Sequence, residues 1–192
     1  MGLALTKRDG AQRLLDEAIR LWLDAREPLA IHSLTMAAFR VLYDLHKREK
    51  EAQHPRLEAL LSQIGFSRLY ELSNKLKHAD RDPEILLSAP LDEENEWRMG
   101  IALVMYRTLE RDLTPEMGAF HLMSLTAYSE NFQVVADEDP DIEHGAQKGA
   151  ALMRGDVELR RMMVRSFLKL IVDGSLPANV DLRRRPRNDN SL

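Results

Sequence analysis

The residues best placed to do chemistry lie in one run, Ser73-Asn74-Lys75-Leu76-Lys77-His78-Ala79-Asp80-Arg81-Asp82-Pro83. On a helix, Leu69, Leu72 and Leu76 make a core-facing stripe, and Glu71, Asn74 and His78 gather on the opposite side. Asn74 and His78 stand one turn apart, so they can hydrogen-bond to each other and both reach a ligand. A last-turn position beside Asp80 and Asp82 favours imidazolium and raises the expected pKa of His78, as general acid–base work requires. Lys75, Lys77 and Arg81 add a local positive field that suits a phosphate. The plainer reading makes His78 and the aspartates a helix cap and turn before Pro83.

Prolines and glycines punctuate the elements that must position this run. Pro28, Pro55 and Pro115 open helical patterns, and Gly65 and Gly174 close them. Apolar residues between these marks recur at three and four, never at two for long. The spacing predicts an all-α protein with helices near 7–26, 28–53, 56–65, 67–78, 93–112, 115–131, 141–153 and 157–173. Short connections favour an antiparallel bundle of about seven to eight helices. Residues 1–174 are read as one domain with its core at about 7–112 and additional helices over 115–174. Residues 175–192, which include Arg183 to Arg187, are read as a disordered basic tail.

Three stripes define the expected core. Leu14, Ala18, Leu21, Trp22 and Ala25 form one, and Trp97, Ile101, Val104 and Met105 another. Leu159, Met162, Met163, Phe167, Leu170 and Ile171 form the third, which could equally face a second subunit. The helix from Pro28 carries two apolar faces, read as well separated. One holds Ile31, Leu34, Ala38, Val41, Leu42 and Leu45, and the other His32, Met36, Phe39 and Tyr43. Such a helix is the centre of a bundle or a subunit interface, which points to a homodimer. His32 joins the candidate site only if this helix delivers it there.

The segments Ala30-Ile31-His32-Ser33-Leu34 and Asn74-Lys75-Leu76-Lys77-His78-Ala79-Asp80 resemble a group of small bacterial helical proteins. More loosely they resemble the HEPN superfamily, over about residues 10–112. That resemblance implies a HEPN-like helical core, dimerisation, and a nucleotide- or RNA-binding role. In the nucleases of that superfamily an arginine precedes the histidine by four to six residues, with a polar residue next to the arginine. Asn74 and His78 fit the polar residue and the histidine, but Ser73 stands where the arginine would be. The bare arginine–histidine spacing at Arg26…His32, Arg40…His46 and Arg48…His54 is no more frequent than the composition produces.

The resulting expectation is a nucleotide- or RNA-binding helical protein. His78 and Asn74 are the catalytic candidates, and Lys75, Lys77, Asp80, Arg81 and His32 the binding candidates. The alternative is a non-enzymatic interaction module; a metal-dependent hydrolase ranks third. No metal or cofactor is expected; were a metal held, His32, His78, Asp80 and His121 would supply ligands. With 192 residues, charge −4, 44% hydrophobic content and no cysteine, disulfides and thiolate chemistry are excluded. The absence of an 18-residue apolar run gives the expectation of a cytoplasmic chain with no membrane partner. Net acidity and the absence of a recognition-helix motif argue against sequence-specific DNA binding, and the aromatic residues (6%) fall at helical core spacing. The acidic run Asp137 to Glu143 has no assigned role.

Overall fold

The computed structural model describes residues 4–49, 55–77, 92–110, 112–127 and 155–179. Among them are seven helices and no strand: α1 (Lys7–Leu23), α2 (Pro28–Arg48), α3 (Pro55–Ile64), α4 (Phe66–Lys77), α5 (Asp92–Leu109), α6 (Pro115–Ala127) and α7 (Val157–Val172). None of these helices is long and apolar enough to cross a membrane. The helix expected at 141–153, the acidic run and the arginine-rich tail from 183 lie outside the described residues.

Local chemistry sets the ends. Thr6 opens α1 with a reciprocal capping box, its hydroxyl accepting from the Asp9 N–H at 3.1 Å while the Asp9 carboxylate accepts from the Thr6 N–H at 2.8 Å. α1 stops at Leu23, short of the expected residue 26, because Ala25 turns left-handed at φ 50°. The Arg26 N–H then returns to the Leu21 carbonyl at 2.9 Å, closing the turn. Gly65, at φ 79°, separates α3 from α4, and Gly174, at φ 74°, ends α7 as the spacing requires. Thr114 caps α6 ahead of Pro115, its hydroxyl accepting from the Met117 N–H at 3.2 Å and donating to the buried Asp16 carboxylate at 2.6 Å. Burial pushes the Asp16 carboxyl up, and the Thr114 bond opposes that rise.

The chain divides into two compact units, Met1–Met117 and Gly118–Leu192, with the division inside α6. In the first unit α2 packs against both α1 and α5, around Leu15, Ile19, Trp22, Ile31, Leu42, Met99 and Leu103. The buried face of α1 is turned one residue from the expected stripe. Leu15 and Ile19 are sealed, Leu14 and Leu21 are half-buried, and Ala25 is exposed. From Asn95 to Tyr106, α5 is buried on almost every side, which makes it the most enclosed helix of this unit. A salt link from Arg8 on α1 to Glu49 and Glu110 ties the far ends of α2 and α5 together.

The two faces of α2 are one. Thr35 and His46 project between them on the helical wheel, and both are buried, so Ile31, His32, Thr35, Met36, Ala38, Phe39, Leu42 and His46 form an unbroken arc. Polar side chains in its centre made the arc read as a pair. The part holding His32, Phe39 and Tyr43 is met by α4 of the same chain.

The second unit departs further from expectation. On α7 the buried residues are Arg160, Arg161 and Val164. Met162 (59% exposed) and Leu170 (43%) face solvent, while Leu159, Met163 and Phe167 are half-buried. The helix is thus rotated so that its predicted apolar stripe lies along the edge, with two arginines inside. Gly118 on α6 exists to admit the chain after α7: a Cβ there would stand 2.6 Å from the Ala178 carbonyl oxygen.

Candidate functional site

α4 sorts the candidate residues into an inner and an outer set. Leu69 and Ser73 are buried, Leu72 is half-buried and Leu76 is 37% exposed, so the inner face follows Leu69–Ser73 rather than the expected Leu69–Leu72–Leu76 line. Asn74, Lys75 and Lys77 are all exposed. Lys75 pairs with Glu71 at 2.7 Å, one turn earlier, and holds that carboxyl below its ordinary range. Both partners are open to water, so the pair adds little stability. His78, Asp80 and Arg81 lie outside the described residues.

His32 does reach α4, from the inner side. Its Nε2 lies 3.0 Å from the Ser73 Oγ, and its ring is fully buried. Burial first, and then the nearby positive charge of Arg98, push its pKa down to about 4, so the imidazole is neutral at physiological pH. Ser73 and Asn74 are adjacent on α4, about 100° apart around the helix, and the first is buried while the second is exposed. His32 therefore anchors the helix that presents Asn74, without sharing its surface.

Polar residues at core positions, which hydrophobic spacing assigns no role, gather around this anchor. Asn95 on α5 is sealed, and its Nδ2 donates to the Pro28 carbonyl at 3.0 Å, tying α5 to the start of α2. Arg98, one turn later, is 9% exposed and reaches Glu94 at 3.4 Å; its charge also acts on Glu71 across the gap to α4. The His32 Nδ1, Thr35 Oγ1, Asn95 Oδ1 and Arg98 Nε are buried without a hydrogen-bond partner. No local signal marked this set, because Asn95 and Arg98 stand in the charged first turns of α5 beside Glu93, Glu94 and Glu96, where hydropathy spacing reads a solvent face.

A second feature runs beside the first. Phe39 and Tyr43 of α2 meet Phe66 and Tyr70 of α4, with ring centroids 5.7 Å apart for Phe39–Tyr70 and 4.8 Å for Tyr43–Phe66. Phe39 is sealed, but Tyr43 and Tyr70 are half-buried and Phe66 is 37% exposed, so these aromatics are not all core as their spacing suggests. Lys47 Nζ sits 4.6 Å from the Tyr43 ring centre, and the Arg40 guanidinium carbon 6.0 Å from that of Tyr70.

Among the described residues no three histidine, aspartate or glutamate side chains gather as a metal site would require. His46 and His121 are both buried helix residues. The chain matches no family profile, no curated protein and no solved structure.

Proposed function

We propose that this chain is a HEPN-like helical protein that binds a nucleotide or RNA through the outward face of α4. One observation carries the reading: α4 is pinned from behind by the buried His32–Ser73 bond, and the same turns hold Asn74, Lys75 and Lys77 out to solvent. An amide and two ammonium groups on a helix anchored in this way are a donor set for phosphate oxygens. In this reading Asn74 orients His78, which acts as acid–base group or phosphate contact, with Arg81 adding charge and Asp80 supporting the imidazolium. Those three enter from the sequence alone.

The test compares native protein with His78→Ala and Lys77→Gln for ribonucleotide binding and RNA cleavage. Weaker binding in both variants is the expected result. Binding unchanged in both, with no cleavage by any of the three, overturns the reading.

A second reading, a helical interaction module that pairs with another copy of itself, is favoured by Met162 and Leu170 on the outer side of α7. It draws nothing from α2, whose buried arc is met within the chain by α1, α4 and α5. Sedimentation of Met162→Lys against native protein tests it: loss of a dimer supports it, and a monomeric native protein overturns it.

A further inference from the structure

We infer that the aromatic and cationic surface shared by α2 and α4 is a stacking platform for single-stranded RNA; this rests on the reading of α4 above and names its substrate class. Phe66, Tyr70, Asn74 and Lys77 follow one another at steps of four, four and three, so they form a single stripe along α4. At 1.5 Å per residue the stripe is about 16 Å long. Beside it, α2 contributes Arg40, Tyr43 and Lys47 at steps of three and four. The contacts Tyr43–Phe66 and Phe39–Tyr70 hold the two stripes together.

The arrangement has three parts that an unpaired strand needs. First, rings are within reach from outside: Phe66 is 37% exposed, and Tyr43 and Tyr70 are half-buried next to it. Phe66 packs against Tyr43 on one side and still keeps more than a third of its surface open to water. Second, cations flank the rings. Arg40, Lys47, Lys75 and Lys77 are exposed, and the opposing carboxylates on these faces are Asp44, which pairs with Arg40 at 3.3 Å, and Glu71, which pairs with Lys75 at 2.7 Å. Third, the rings and the donors of Asn74 and Lys77 lie on one line, so a strand stacking a base on Phe66 can lay its phosphates along Lys47 and Lys77.

Base faces are available in single strands and hidden in duplexes, so ring stacking selects the unpaired form. The excess of cations over carboxylate selects a polyanion over a proline-rich peptide, which would also use aromatic rings.

The test measures anisotropy of a fluorescein-labelled oligouridylate and of an RNA duplex of equal length with the full chain. Phe66→Leu is expected to weaken single-strand binding about tenfold, the loss of one stacked base, and to leave duplex binding as it was. The surface variant Lys47→Gln, which removes the ammonium group standing over the Tyr43 ring, is expected to weaken it and to flatten its salt dependence. Single-strand binding that survives Phe66→Leu and Lys47→Gln unchanged but falls with Lys77→Gln overturns the platform and leaves the α4 reading standing. Preference for duplex, or tighter binding of a proline-rich peptide than of oligouridylate, also overturns it. If the native chain binds uridine monophosphate but no oligonucleotide, only the platform fails; if it binds neither, both readings fail. Should Phe66→Leu not fold, judged by circular dichroism, Lys47→Gln alone decides.

Discussion

The His32 imidazole and the Ser73 hydroxyl, 41 positions apart in the chain, meet at 3.0 Å in a site sealed from water. The bond joins the start of α2 to the last turns of α4. Replacing Ser73 by alanine leaves the imidazole with no partner on either nitrogen. The expected cost is about 1–3 kcal/mol, read as a lower urea midpoint at pH 7.

The same ring gives stability a pH dependence of definite sign. His32 titrates near 6.5 in the unfolded chain and at about 4 when folded, so between those values the unfolded chain binds more protons. Stability from this group is therefore complete above pH 6.5 and falls as pH drops toward 4, by about 3 kcal/mol in all. Asp16 acts in the opposite direction, since its raised pKa favours the protonated folded form in acid. The His32→Gln variant keeps a partner for Ser73 but cannot titrate. Urea midpoints followed from pH 7 to 4 are expected to fall more steeply in native protein than in this variant.

Ala25 occupies a left-handed backbone position at φ 50°, where a Cβ is unfavourable. Ala25→Gly is expected to raise stability by about 0.5–1 kcal/mol, the relief of that strain less the added freedom of glycine when unfolded. Thermal unfolding of the purified variant checks the sign.

Gly118 calls for the reverse outcome. A methyl group there meets the Ala178 backbone at 2.6 Å, and backbone atoms cannot swing aside as a side-chain end can. Gly118→Ala is expected to cost roughly 1–3 kcal/mol, or to detach the segment after Gly174, seen as faster proteolysis near Ala178.

Thr114 serves two partners with one hydroxyl. Thr114→Val removes both the α6 cap and the donor to Asp16, so the expected loss is about 2 kcal/mol at neutral pH. Because the Asp16 carboxyl is easier to keep neutral in acid, the loss is expected to shrink as the pH is lowered, which paired urea titrations at pH 7 and 4.5 would record.

Helix existence and most helix ends were legible in the sequence because proline, glycine and capping residues act locally. Pro28, Gly65, the Thr114-Pro115 pair and Gly174 all stand where their chemistry places them. Helix rotation was legible less often, because it depends on what the neighbours offer. On α2 the polar His32, Thr35 and His46 lie inside the buried arc, where hydropathy spacing leaves a gap. On α7 the long arms of Arg160 and Arg161 are drawn inward while Met162 goes out. Of the candidate residues, the outward placement of Asn74, Lys75 and Lys77 follows from the α4 wheel. The approach of His32 and Arg98 from other helices could not be read, since no local pattern fixes a tertiary neighbour. The aromatic surface was hidden for a related reason: Phe39, Tyr43, Phe66 and Tyr70 share one period with core residues, and only their packing separates the sealed ring from the open ones.

The way α4 is fastened sets how this unit comes apart. α1, α2 and α5 interlock through many sealed side chains, whereas α4 contributes Leu69 as its sealed aliphatic residue and otherwise meets α2 through four rings, two of them half-buried and one open, and a single hydroxyl–imidazole bond. Backbone amides of α4 will thus trade their hydrogens for deuterium well before those of α2, by a partial opening that leaves the other three helices folded. An occupant spanning both stripes would slow that exchange in α4 and hardly alter it elsewhere.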